Sequence, residues 1–97
     1  MNPQPKTPMW RSKKYLDFVK TLPSIVPGSG DVTPHHVRMH SNAGTGTKPS
    51  DYWTVPLADS LHKELDQIGR ETFYKKYNID IKMEIIKTMG AYLKDKK

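Results

Sequence analysis

"PHHVRMHSNAGTGTKPSDYWTVPLADSLHKEL", residues 34–65, holds all four histidines of the chain, and its reading decides the fold. The segment His35–Met39 ("HHVRM") reads as a short strand. Asn42, Gly44, Gly46 and Pro49 break any regular element, so residues 40–51 read as a loop. Tyr52–Leu57 ("YWTVPL") is rich in β-branched and aromatic residues and predicts a second strand. The period then changes. Leu57, Leu61, Leu65 and Ile68 recur at helical spacing, and Gly69 is a natural stop. Asp59 or Ser60 stands near the helix start, where unpaired backbone N–H groups favour an acidic or hydroxyl side chain. The order is strand, loop, strand, helix.

On the N-terminal side, residues 1–9 carry three of the eight prolines and read as a flexible tail. Residues 10–22 show helical spacing, with Tyr15, Phe18, Val19 and Leu22 on one face and Pro23 as the stop. Residues 23–34 carry turn chemistry around Ile25 and Val26. On the C-terminal side, residues 70–78 predict a short helix. Residues 80–97 form the clearest amphipathic segment, with Ile81, Ile85, Met89 and Tyr92 in one stripe and Ile86 and Leu93 beside it.

Composition narrows the function classes. A chain of 97 residues suits one domain, here residues 10–97, and 35 % hydrophobic residues allow only a thin core. The net charge of +6 favours a polyanionic partner, with nucleic acid ahead of an anionic membrane surface; solubility alone is the plainer reading. No cysteine is present, so neither a disulfide frame nor a thiolate zinc site is available. Nothing approaches the run of about 18 apolar residues that spans a membrane. The N-terminal residues lack the apolar region of a signal peptide, so a cytoplasmic location is expected.

The chemistry-bearing residues are His35, His36, His40, Asp51, His62 and Asp66. His62 and Asp66 are four apart on a helix, so both point the same way and can bind one divalent ion through nitrogen and oxygen. The plainer reading is an exposed pair contributing about 0.2–0.5 kcal/mol. Either His35 or His36 can supply a third ligand. Adjacent strand residues point to opposite faces, so the two histidines are expected to do different jobs unless a bulge or irregular backbone turns them together. The glycine loop lacks the G-x-x-x-x-G-K-[ST] spacing and precedes a strand instead of opening a helix, which excludes a P-loop. Its backbone N–H groups and Lys48 can still meet a phosphate.

Residues 20–75 resemble the HNH endonuclease core of the RecA-dependent Ref nuclease family and its small phage relatives. The residues that carry the resemblance are Pro34-His35-His36, His40, Gly44-Thr45-Gly46-Thr47-Lys48, Asp51, "YWTVPL" and His62. It implies an α+β fold: a ββα-metal (His-Me finger) core with an N-terminal helix and C-terminal helices. It also implies metal-dependent hydrolysis of DNA phosphodiester bonds. His35, His62 and Asp66 are the implied metal ligands and His36 the general base. Asp51 stands at the position, commonly Asn, that orients that base. An aspartate oxygen at Asp66 favours magnesium or manganese, with zinc or nickel as alternatives. Arg11, Lys13, Lys14, Arg38, His40, Lys48 and Lys63 are the expected DNA contacts.

The departures are specific. Ser24, Pro27 and Ala58 replace cysteines of the relatives, and Leu61 stands where a histidine is common. Packing must then hold the fold, with Trp53, Phe73, Tyr77 and the last helix expected to cover the ββα unit. DNA is the expected partner, and a bacterial host protein such as a recombinase is the next candidate. A catalytically degenerate HNH-fold protein that binds DNA or a host protein is the alternative function. An inhibitor of the host acting through protein contacts alone is a third.

Overall fold

Two strands from the histidine-rich stretch pair at the centre of a mixed α+β fold. The computed structural model describes residues 11–38 and 50–95. In chain order these form α1 (Lys13–Val19), β1 (Val32–His36), β2 (Thr54–Ala58), α2 (Asp59–Ile68), α3 (Arg70–Lys76) and α4 (Ile81–Asp95). The expected tail over residues 1–9, His40, and the loop glycines with Lys48 lie outside the described residues.

β1 and β2 run antiparallel, with His35 opposite Val55 and His36 opposite Thr54. β1 begins at Val32 and ends at His36, three residues earlier than the 35–39 strand expected from sequence. Prolines made residues 23–34 read as turn throughout, yet Pro34 is tolerated because it faces Pro56. In an antiparallel ladder, every second pair points its backbone groups outward and makes no cross-strand bonds. Pro34 and Pro56 occupy such a pair, and the outward carbonyl of Pro56 accepts the Ile25 N–H at 3.0 Å. Beyond the doublet the ladder continues for one bond, with Val37 N–H donating to the Trp53 carbonyl at 2.7 Å.

A two-stranded ribbon is marginal alone, and here the helices enclose it: every residue of β2 is buried. α1 and α4 pack on the sheet and on each other, while α2 packs on the sheet and on α3. Leu57, Ala58, Leu61, Leu65 and Phe73 form one core cluster, and Val37, Val55 and Ile85 form a second with Trp53 against it. Phe73 is fully buried and Tyr77 packs beside its cluster, so both cover the unit as expected. On α4 the inward stripe centres on Ile85, whereas Ile86 and Leu93 are exposed. Among the described residues no helix is long and apolar enough to cross a membrane.

Two helix starts position the site. α1 is shorter than the 10–22 segment expected, because Ser12 is its N-cap: the hydroxyl accepts the Tyr15 N–H at 3.1 Å. α2 follows β2 directly from Ala58 and has no side-chain cap. Its first amides are capped by the 23–31 loop instead, Asp59 N–H to the Asp31 carbonyl and Ser60 N–H to the Ser29 carbonyl. Gly30 makes that approach possible. It has φ +88°, and a Cβ there would stand 2.8 Å from the Cβ of Asp59.

Candidate functional site

Strand alternation sends the two histidines to different partners. His36 Nε2 lies 2.8 Å from Asp51 Oδ1. The other carboxylate oxygen accepts the Ser12 N–H at 2.7 Å, and Arg11 Nη1 stands 3.6 Å from Oδ1. Asp51 is 2 % exposed, so these groups replace its water. Burial works against its charge, but the bond from His36, the Ser12 amide and the His36 and Arg11 charges outweigh it. The Asp51 carboxyl therefore stays below its usual range. A carboxylate only accepts, so the His36 proton facing it sits on Nε2. In the neutral ring the lone pair is then on Nδ1, away from Asp51.

His35 turns toward α2 and α3. Its Nε2 lies 3.0 Å from the Tyr74 hydroxyl, and its ring meets the His62 ring edge-on, centroids 5.2 Å apart. His62 Nδ1 in turn lies 2.9 Å from Thr33 Oγ1. Burial, with His62 and His36 adding repulsion, pushes the His35 pKa down to about 4, so its imidazole is neutral at pH 7. Burial pushes the Tyr74 phenol up to about 12, with Arg70 opposing.

The ligand set expected from sequence is thus brought together in part. His35 and His62 meet. Asp66 is exposed, and among the described residues no three histidine or acidic side chains converge on a common point. The pair could offer two imidazole donors to a divalent ion. Each ring spends one nitrogen on a hydroxyl and can keep a lone pair on the other, as in metal-ligating histidines generally. With Asp66 apart, the donors this pair could offer are both imidazole nitrogens, which would suit zinc or nickel better than magnesium.

Of the expected DNA contacts, Arg11 is drawn to Asp51 and so to His36. Lys13 pairs with Asp17 on α1 at 2.9 Å, and Lys63 pairs with Asp59 on α2 at 3.2 Å. Lys14 and Arg38 are exposed. His40 and Lys48 lie outside the described residues. The positions where relatives of the resembled family carry cysteine are partly adjacent, since the Ala58 N–H donates to Ser24 Oγ at 3.0 Å.

Sequence reasoning missed Ser12, Thr33 and Tyr74. Thr33 was within reach, because it lies two residues before His35 on the same strand face. Tyr74 and Ser12 carried no local signal. Each reaches the site only through packing, across 39 residues of chain in both cases.

The family described as "Protein of unknown function (DUF968)" matches residues 2–93. Among curated proteins, the chain is 38 % identical over 72 residues to "Uncharacterized protein YdfU" of Escherichia coli (strain K12), an alignment covering 72 % of this chain and 21 % of the relative. The chain therefore spans about a fifth of that relative's length. No solved structure matches.

Proposed function

This chain belongs to the DUF968 family, and we propose that it is a metal-dependent endonuclease of the HNH type acting on DNA. The observation that carries this reading is the division of labour at one strand end: His36 bonds Asp51 at 2.8 Å, while its neighbour His35 meets His62 across the sheet–helix junction. The succession β1, β2, α2 supports a ββα core. The basic balance supports a polyanionic substrate.

His35 and His62 would hold the ion, which supplies Lewis-acid stabilisation of phosphate charge when bound. Asp51 holds the His36 ring so that Nδ1 presents its lone pair. That nitrogen takes a proton from water as the water attacks phosphorus and the bond to the 3′ oxygen breaks, the leaving 3′ oxygen taking a proton from solvent. Arg11, beside Asp51, offsets phosphate charge near the same ring. Among the described residues no base-reading element is evident, so weak sequence preference is expected.

A plasmid-nicking assay with magnesium, manganese, zinc or nickel tests the reading. Wild type should nick in at least one of these metals, with His36→Ala and His35→Ala reduced to background. Equal nicking by wild type and His36→Ala refutes it. The separation of Asp66 from the imidazole pair favours a second reading, an HNH-fold protein that binds DNA or a host protein without cutting. DNA retention by a chain inert in all four metals would favour that reading.

A further inference from the structure

We infer that Thr33 and Tyr74 are positioning residues that select which ring nitrogen His62 and His35 present to a metal ion. The inference rests on the metal-binding reading above. A neutral imidazole carries one N–H and one lone pair, and interconverts between two tautomers. Only the tautomer with its lone pair facing the ion binds, and a hydroxyl on the far nitrogen keeps the ion off that atom and accepts its N–H in the bound form.

Both histidines have such a partner, and both partners are hydroxyls. Thr33 Oγ1 lies 2.9 Å from His62 Nδ1. With Nδ1–H donating to that oxygen, His62 can ligate only through Nε2. The Tyr74 hydroxyl lies 3.0 Å from His35 Nε2. With Nε2–H donating there, His35 can ligate only through Nδ1. The two selectors come from different elements. Thr33 shares the β1 face of His35 yet holds the helix histidine, while Tyr74 on α3 holds the strand histidine. β1, α2 and α3 are thereby tied into one polar unit. Neither hydroxyl reaches Asp51 or His36, so the selectors act on the ligand pair and leave the candidate base to its own carboxylate.

The experiment uses the full chain and cobalt(II) as probe, titrated by calorimetry and followed by the ligand-field absorption of the bound ion. Wild type should bind one ion, and His35→Ala should abolish binding. Thr33→Val and Tyr74→Phe should each weaken binding about 10–100-fold, and Thr33→Ser should restore it. Ring nitrogen-15 spectra of the zinc-loaded wild type give a second measurement that needs no variant to fold. They should show His62 protonated on Nδ1 and His35 on Nε2. The opposite tautomers, or wild-type affinity in both hydroxyl variants while His35→Ala loses the ion, overturn the positioning role and leave the metal reading standing. Failure of wild type to bind, or full binding by His35→Ala, overturns the metal reading and the inference with it.

Discussion

Replacing Asp51 with alanine tests the clamp that joins α1, the β2 approach and the candidate base. The carboxylate is 2 % exposed and accepts two hydrogen bonds, from the Ser12 amide at 2.7 Å and from His36 Nε2 at 2.8 Å. Hydrogen bonds to a charged group contribute about 1.5–3 kcal/mol each, and removing the acceptor leaves buried donors unpaired. Relief of carboxylate desolvation opposes this. The expected net loss is about 2–4 kcal/mol at pH 7. For a chain of this size, 1 kcal/mol moves the melting temperature by about 4–8 °C, so a fall of about 8–32 °C is expected. The assay is thermal and urea denaturation followed by circular dichroism, with Asp17→Ala as control, because Asp17 lies half-exposed on α1 with lysine partners only. The pH dependence has a definite sign. The folded Asp51 pKa lies below its unfolded value of 3.8, so its contribution is present above that value and is lost as pH falls through the folded one. The gap between wild type and variant should therefore close in acid below about pH 4. A loss under about 0.5 kcal/mol at neutral pH, or a gap that widens in acid, would refute the clamp.

Three further outcomes follow from the packing. His35 has a folded pKa of about 4 against 6.5 unfolded, so metal-free protein should lose at most about 3 kcal/mol as pH falls from 6.5 toward 4; His35→Asn should flatten melting temperature against pH in that window, and parallel curves would count against the burial. Phe73→Ala should cost about 3–5 kcal/mol in urea denaturation, because Phe73 is fully buried among Leu57, Leu61 and Leu65. Two glycine substitutions should have opposite signs in the same assay. Gly30→Ala meets a positive φ and the Asp59 Cβ at 2.8 Å and should cost at least about 1–2 kcal/mol, whereas Gly90→Ala, in open space on α4, should stabilise by about 0.5–1 kcal/mol.

Much of the framework was legible in residue order. The leucine period through Leu61, Leu65 and Ile68 and the stop at Gly69 predict α2 closely, because an amphipathic helix needs only local spacing to show itself, although Leu57, counted in the same stripe, belongs to β2. The stripe through Ile85 predicts α4 for the same reason. β1 was less legible. Pro34 marks a turn in any local reading, and only its outward-facing ladder position against Pro56 makes it a strand residue. The α1 boundary likewise depends on Ser12, whose capping role is visible only once its hydroxyl meets the Tyr15 amide.

The site divides along the same line. Alternation along a strand already separates His35 from His36, since it is a property of extended backbone and needs no partner. By itself, then, the sequence determined two histidines with different environments, a helix presenting His62 beside a leucine stripe, and a basic chain without thiols. Tertiary structure alone decided what those environments are: Asp51, held by Ser12, for His36, and Tyr74 with His62, itself held by Thr33, for His35. It also left Asp66 exposed and apart from the imidazole pair, although helical spacing puts it on the His62 side. The physical reason is range. Periodicity reports which way a side chain leaves its own backbone, whereas a hydrogen-bond partner or a fellow ligand is supplied by whichever element packs opposite.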